Sequence, residues 1–153
     1  MQTGDILFIK GKGLISSAIR LVDGGEYTHV AIALTENTIL EAQYFTRSRI
    51  IKNPYKEYDI IRLDLSGHDK CDILKLSVSL SGKWYDYKQI IGHLIKKPLN
   101  NPNNMICSEL VGVLLYHLGY EKEMSLEHMA SLTPHTLHQY LIAKGGKQIC
   151  QNQ

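Results

Sequence analysis

The chain has 153 residues, enough for one domain that buries a core without disulfide staples. Its 44% hydrophobic and 21% charged residues are those of a globular protein, which excludes collagen-like and disordered classes. Seventeen Lys and Arg are scattered among fifteen acids for a formal charge of +2, so no basic stripe points to nucleic acid.

The first residues, Met1 to Asp5, carry no positive region ahead of an apolar run, so the chain is expected to be synthesised as a cytoplasmic protein. No apolar stretch approaches the roughly 20 residues of a transmembrane helix. Cys71, Cys107 and Cys150 are an odd number without CxxC spacing, which fits reduced thiols better than a disulfide framework.

In chain order, Ile6–Ile9 predicts a short strand introduced by the turn pair Gly4-Asp5. Apolar residues at 14, 15, 18, 19 and 22 predict a helix ended by Asp23-Gly24-Gly25. His29–Leu34 is apolar after its first residue and reads as a central strand, followed by Thr38–Gln43 across a short polar connection. If Leu34 faces Thr38 across the three-residue loop Thr35-Glu36-Asn37, Glu41 is the diagonal neighbour of His29 on one face. A two-residue loop would put the two on opposite faces, and the pattern leaves both registers open.

Arg47–Lys52 and Tyr58–Leu65 continue the strands, and Asp69–Gly82 switches to helical spacing that includes Cys71, Leu74 and Val78. A loop rich in helix breakers, Pro98–Asn104, precedes an apolar helix, Met105–Leu118, closed by Gly119. Thr133-Pro134 predicts the start of a last helix running to Ala143, with Gly145-Gly146 and a frayed polar tail behind it. The class is α+β, a single domain over 1–153: an antiparallel sheet from the first half packed by helices mainly from the second.

Cys107 is the residue around which chemistry gathers. It follows a loop, in the first turn of the most apolar helix, where the helix dipole favours a thiolate. The unpaired N–H groups of that turn can stabilise an oxyanion. The same local pattern also fits a small buried apolar residue. A nucleophilic thiol needs an imidazole, and that imidazole an orienting partner. His29 stands out because it opens an apolar strand, although a core histidine would do the same. His68, His93, His117, His128, His135 and His138 read as solvated or capped imidazoles. His135 and His138 have helical spacing for a metal but no second ligand pair, and neither a metal nor another cofactor is expected. Lys10-Gly11-Lys12-Gly13 lacks the pattern of a phosphate loop.

Five segments then occur in order: Gly4-Asp5-Ile6-Leu7-Phe8, Tyr27-Thr28-His29-Val30-Ala31-Ile32, Leu40-Glu41-Ala42, Gly82-Lys83-Trp84-Tyr85-Asp86-Tyr87 and Ile106-Cys107-Ser108-Glu109-Leu110-Val111. Together, over roughly residues 3–120, they resemble the circularly permuted branch of the NlpC-type papain-like superfamily, the YiiX/YebB/YycO-like hydrolases. The resemblance implies a permuted papain-like fold, with an antiparallel sheet or small barrel packed by helices, in which the His precedes the Cys. It implies Cys107 as nucleophile, His29 as base and then acid, Glu41 as orienter, and Tyr85, with Tyr87 in reserve, in the oxyanion pocket; Glu109 takes a structural part.

The activity it implies is that of a cysteine hydrolase of the amidase or peptidase kind. Its substrate would be a peptide or acyl amide, with peptidoglycan stem peptides a leading class. A wall substrate would require release by lysis or carriage by a phage particle. The Gly-Asp…His-Val-Ala-Ile stretch also resembles the lecithin retinol acyltransferase group, which implies a lipid acyl substrate carried as a Cys thioester. Against that, Glu41 stands where that group has a second His, and Ile106-Cys107-Ser108-Glu109 replaces its Asn-Cys-Glu-His. A binding module that keeps the fold without catalysis is the third reading.

Overall fold

The computed structural model describes residues 1–11, 24–42, 47–82, 106–120, 125, 128 and 132–149. Their elements run β1 (Ile6–Ile9), β2 (His29–Ala33), β3 (Thr38–Glu41), β4 (Arg49–Lys52), β5 (Tyr58–Arg62), α1 (Gly67–Leu80), α2 (Ile106–His117), α3 (Pro134–Ala143) and β6 (Lys147–Ile149). The strands form one antiparallel sheet in the order β4-β3-β2-β1-β5-β6. The α+β class expected from the sequence is the one observed.

The central strands bury both faces, which is why β1 and β2 read as continuous apolar runs rather than alternating ones. Ile6, Phe8, Val30, Ile32, Leu40 and Ile61 meet Leu110, Val111, Leu114 and Leu137 of the helices on one face. Leu7, Ile9, Ala31, Ala33 and Ile39 point the other way, under Met1, Ile51, Tyr55 and Tyr58.

Local chemistry sets the ends of the elements. Gly4 has φ +89°, a left-handed conformation that a side chain resists, and a Cβ there would come within 2.5 Å of Leu65 Cδ1. The next residue, Asp5, is buried and accepts a two-pronged bond from Arg62 Nε and Nη2, both at 2.8 Å, besides the Gln2 N–H. The Gly-Asp pair therefore ties the chain entry to β5. Ser66 and Asp69 form a capping box at the start of α1, and Thr133 with Thr136 forms another at α3, behind Pro134 in the first turn. Gly119, at φ +66°, ends α2 with bonds from its N–H to Tyr116 O and from Tyr120 N–H to Leu115 O, the Schellman pattern.

Three expectations are corrected. Residues 147–149 are not frayed tail: they form β6, pairing Ile60 with Ile149 and Arg62 with Lys147. In α1 only Ile73 and Ser77 are buried, while Leu74, Val78 and Cys71 are exposed, so the apolar spacing there overstates a core face. His138 is half-buried rather than solvated. It stacks on Tyr27 at 4.6 Å between centroids and stands edge-on to Phe8 at 4.9 Å, and its buried Nε2 has no hydrogen-bond partner among the described residues. The expected helix at 14–22, the loop 98–104, His93, Cys150 and the aromatic segment with Tyr85 and Tyr87 lie outside the described residues.

Candidate functional site

The β2–β3 hairpin takes the three-residue register. Leu34 N–H donates to Thr38 O at 2.8 Å, and Ile32 and Ala33 face Leu40 and Ile39. Continued by one pair, that register sets Glu41 opposite Ala31, diagonal to His29 on the same face. The two side chains meet: His29 Nε2 lies 2.9 Å from Glu41 Oε2.

Glu41 is fully buried, and a buried carboxylate must be compensated. Arg49, its direct cross-strand neighbour in β4, donates to Oε1 from Nε at 3.0 Å and from Nη2 at 2.7 Å. Tyr55 donates its hydroxyl to Oε2, the oxygen that faces His29, and its ring leans on the imidazole at 5.5 Å between centroids. Burial works against the charged carboxylate, but the bonds from His29, Tyr55 and Arg49 outweigh it and bring its pKa down to about 2.

Cys107 is the second residue of α2, the helix that packs across β2, and it is buried in the helix-side core. Its thiol lies within hydrogen-bonding reach of His29. With Nε2 committed to Glu41, Nδ1 is the ring nitrogen left for the sulfur. Burial lowers the tendency of His29 to charge, yet the negative charge and hydrogen bond of a Cys107 thiolate, followed by those of Glu41, carry its pKa up to about 9. The charged form of the imidazole is thereby favoured, with the Glu41 carboxylate against Nε2.

Sequence reasoning named Cys107, His29 and Glu41, and the fold brings these three together. It missed Arg49 and Tyr55. The signal for Arg49 was a basic residue near the start of the next strand, but the length of the β3–β4 connection was needed to set it against Glu41. Tyr55 follows Pro54 in a connection without periodicity and left no signal. Beside the Tyr55 ring, a groove of about 340 Å³ opens between Ile9–Gly11 and Pro54–Glu57, next to His29's cross-strand partner Ile9.

No family model matches the chain. Among curated proteins it is 27% identical over 96 residues to the probable lipoprotein peptidase YaeF of Escherichia coli K12, a match covering 60% of this chain and 35% of YaeF. The chain thus spans about a third of the length of that relative. The crystal structure of the metalloprotein YiiX from Escherichia coli O157:H7 superposes with a TM-score of 0.63, covering 99% of this chain and 97% of YiiX. The fold resembles that of YiiX. At 16% identity the likeness to YiiX is one of architecture alone. YiiX is named a metalloprotein, but among the described residues of this chain no group of three His, Cys, Asp or Glu side chains is placed to hold a metal. Nor, among them, is any helix long and apolar enough to cross a membrane.

Proposed function

We propose that the chain is a cysteine hydrolase of permuted papain-like type that cleaves an amide through a Cys107–His29–Glu41 triad. The observation that carries this reading is the imidazole of His29, held by a buried carboxylate on one side and within reach of a helix-terminal thiol on the other. The peptidase name borne by YaeF supports an amide rather than a lipid ester as substrate, with peptidoglycan stem peptides the first class to try.

The Cys107 sulfur, as thiolate, attacks the carbonyl carbon, and the charge developing on oxygen meets the positive end of the α2 dipole, with the Cys107 N–H as a proposed donor. Tyr85 is the proposed second donor to that oxygen. His29, carrying the proton, delivers it to the leaving amine as the C–N bond breaks, which leaves a thioester on Cys107. The neutral imidazole then takes a proton from water, whose oxygen attacks the thioester and releases the acid. Glu41 holds the ring and stabilises its charged form throughout.

Iodoacetamide labelling near neutral pH tests the reading. Cys107 should react faster than exposed Cys71, and His29→Ala should remove that advantage. Cys107→Ala and His29→Ala should each abolish release of acyl product from stem peptides while the far-ultraviolet circular dichroism is unchanged. Persistent turnover in either folded variant sinks the mechanism.

A further inference from the structure

We propose that Arg49 and Tyr55 are positioning residues of this site: Arg49 locks the rotation of the Glu41 carboxylate, and Tyr55 shares the oxygen that holds His29. This rests on the Cys107–His29–Glu41 reading and extends it to two side chains that need not touch a substrate.

A carboxylate bound by the imidazole alone could turn about its terminal torsion, which is broad and roughly two-fold for Glu. Arg49 removes that freedom by placing both Nε and Nη2 on the same oxygen, Oε1, leaving Oε2 as the oxygen that faces the ring. Lysine could supply the charge but not the planar fork. Arg49 is aimed because it stands directly opposite Glu41 in the β3–β4 ladder.

Tyr55 is held independently of the site. Its N–H donates to the Asn53 side chain at 3.0 Å, and Asn53 N–H is tied to Asn37 O at 2.8 Å. Its hydroxyl competes with His29 Nε2 for Oε2, so the carboxylate's negative charge is divided between two donors. Among the described residues, the charged and titratable groups facing this pair are Cys107 from α2, Arg49 from β4 and Tyr55 from the β4–β5 connection. Of these, Tyr55 and Arg49 draw negative charge from Glu41 and so lessen its stabilisation of the imidazolium, which keeps His29 able to release its Nδ1 proton to a leaving group.

The test uses p-nitrophenyl acetate as an activated acyl probe, with wild type, Arg49→Ala, Arg49→Lys and Tyr55→Phe. The thiolate displaces p-nitrophenolate to give an acetyl thioester, and water resolves it with His29 as base. Arg49→Ala should slow resolution of the acetyl enzyme by about 100-fold, the scale of a displaced catalytic group. Arg49→Lys should restore only part of the loss. Tyr55→Phe should move the basic limb of the pH–rate profile, and the titration of His29 followed by NMR, to higher pH.

If folded Arg49→Ala and Tyr55→Phe keep the wild-type rate and profile, the proposal is overturned. Should Arg49→Ala fail to fold, Arg49→Lys and Tyr55→Phe decide it on the same readouts. A wild type with no Cys107-dependent burst would instead refute the hydrolase reading. In that event the His29 titration in Tyr55→Phe decides the positioning claim separately, an unmoved titration refuting it.

Discussion

Replacing Glu41 with Gln changes one atom and tests most of the electrostatic argument. An amide has one acceptor oxygen and one donor nitrogen. Arg49 presents two N–H groups to Oε1, so the Gln oxygen must take that place, and the NH₂ then points at His29 Nε2. Two donors now face each other unless Nε2 loses its proton. The imidazole is pushed into the tautomer with its hydrogen on Nδ1, where it cannot accept a proton from the thiol.

The rise of the His29 pKa from 6.5 to about 9 is worth roughly 3 kcal/mol, at about 1.36 kcal/mol per pH unit. Cys107 supplies the larger share, so loss of the Glu41 charge alone would cost on the order of 10-fold in rate. Reversal of the tautomer adds a term that reaches about 10⁴-fold where a triad carboxylate becomes an amide. Because the Arg49 fork dictates which way the amide sits, the larger figure is the expected one. The assay is Cys107-dependent release of p-nitrophenolate, burst and steady state, with circular dichroism as the fold control. A Glu41→Gln enzyme within twofold of wild type would refute the reasoning.

Two further outcomes concern stability. Folding raises the His29 pKa, so its contribution is complete below about pH 6.5 and is lost as pH climbs through 9. Folding lowers that of Glu41, so its contribution is complete above about 4.5 and is lost as pH falls through about 2. The urea midpoint of wild type should therefore exceed that of His29→Ala by the widest margin near pH 4.5–6.5; a gap that stays constant to pH 10 contradicts the linkage. Gly4→Ala should cost about 1–3 kcal/mol, because the left-handed φ and the approach of Leu65 act together. A midpoint equal to wild type would show that neither matters.

Much of this was legible because its signals are local. Thr133-Pro134 and Gly119 each act within a few residues of their own positions, and they end elements where expected. The diagonal between His29 and Glu41 was readable up to a choice between two loop lengths, since side-chain direction in a strand has period two. What could not be read depended on distant partners. β6 forms because β5 offers it an open edge, and three residues of Lys-Gln-Ile carry no strand signal alone. His138 sits on an ordinary helical position; only the placing of α3 brings it against Tyr27 and Phe8. Arg49 required the β3–β4 register, and Tyr55 the path of an irregular connection. Leu74 and Val78 show the converse, apolar residues at helical spacing on a face that nothing among the described residues covers.

The pairing of β6 with β5 also governs how the chain comes to its fold. Ile60 and Ile149 stand about 90 residues apart in sequence, and β5 must in addition find β1 across more than 50. The two hairpins built on β2, β3 and β4 can close early, but β5 is paired on both sides only when β6 arrives. Contacts of such long range slow folding, because loop closure must precede the burial that rewards it. Until then β5 keeps an unpaired edge, a template for another chain. Cutting the chain before Lys147 should thus promote association far more than it disturbs His29 or Cys107, and light scattering during refolding would show it.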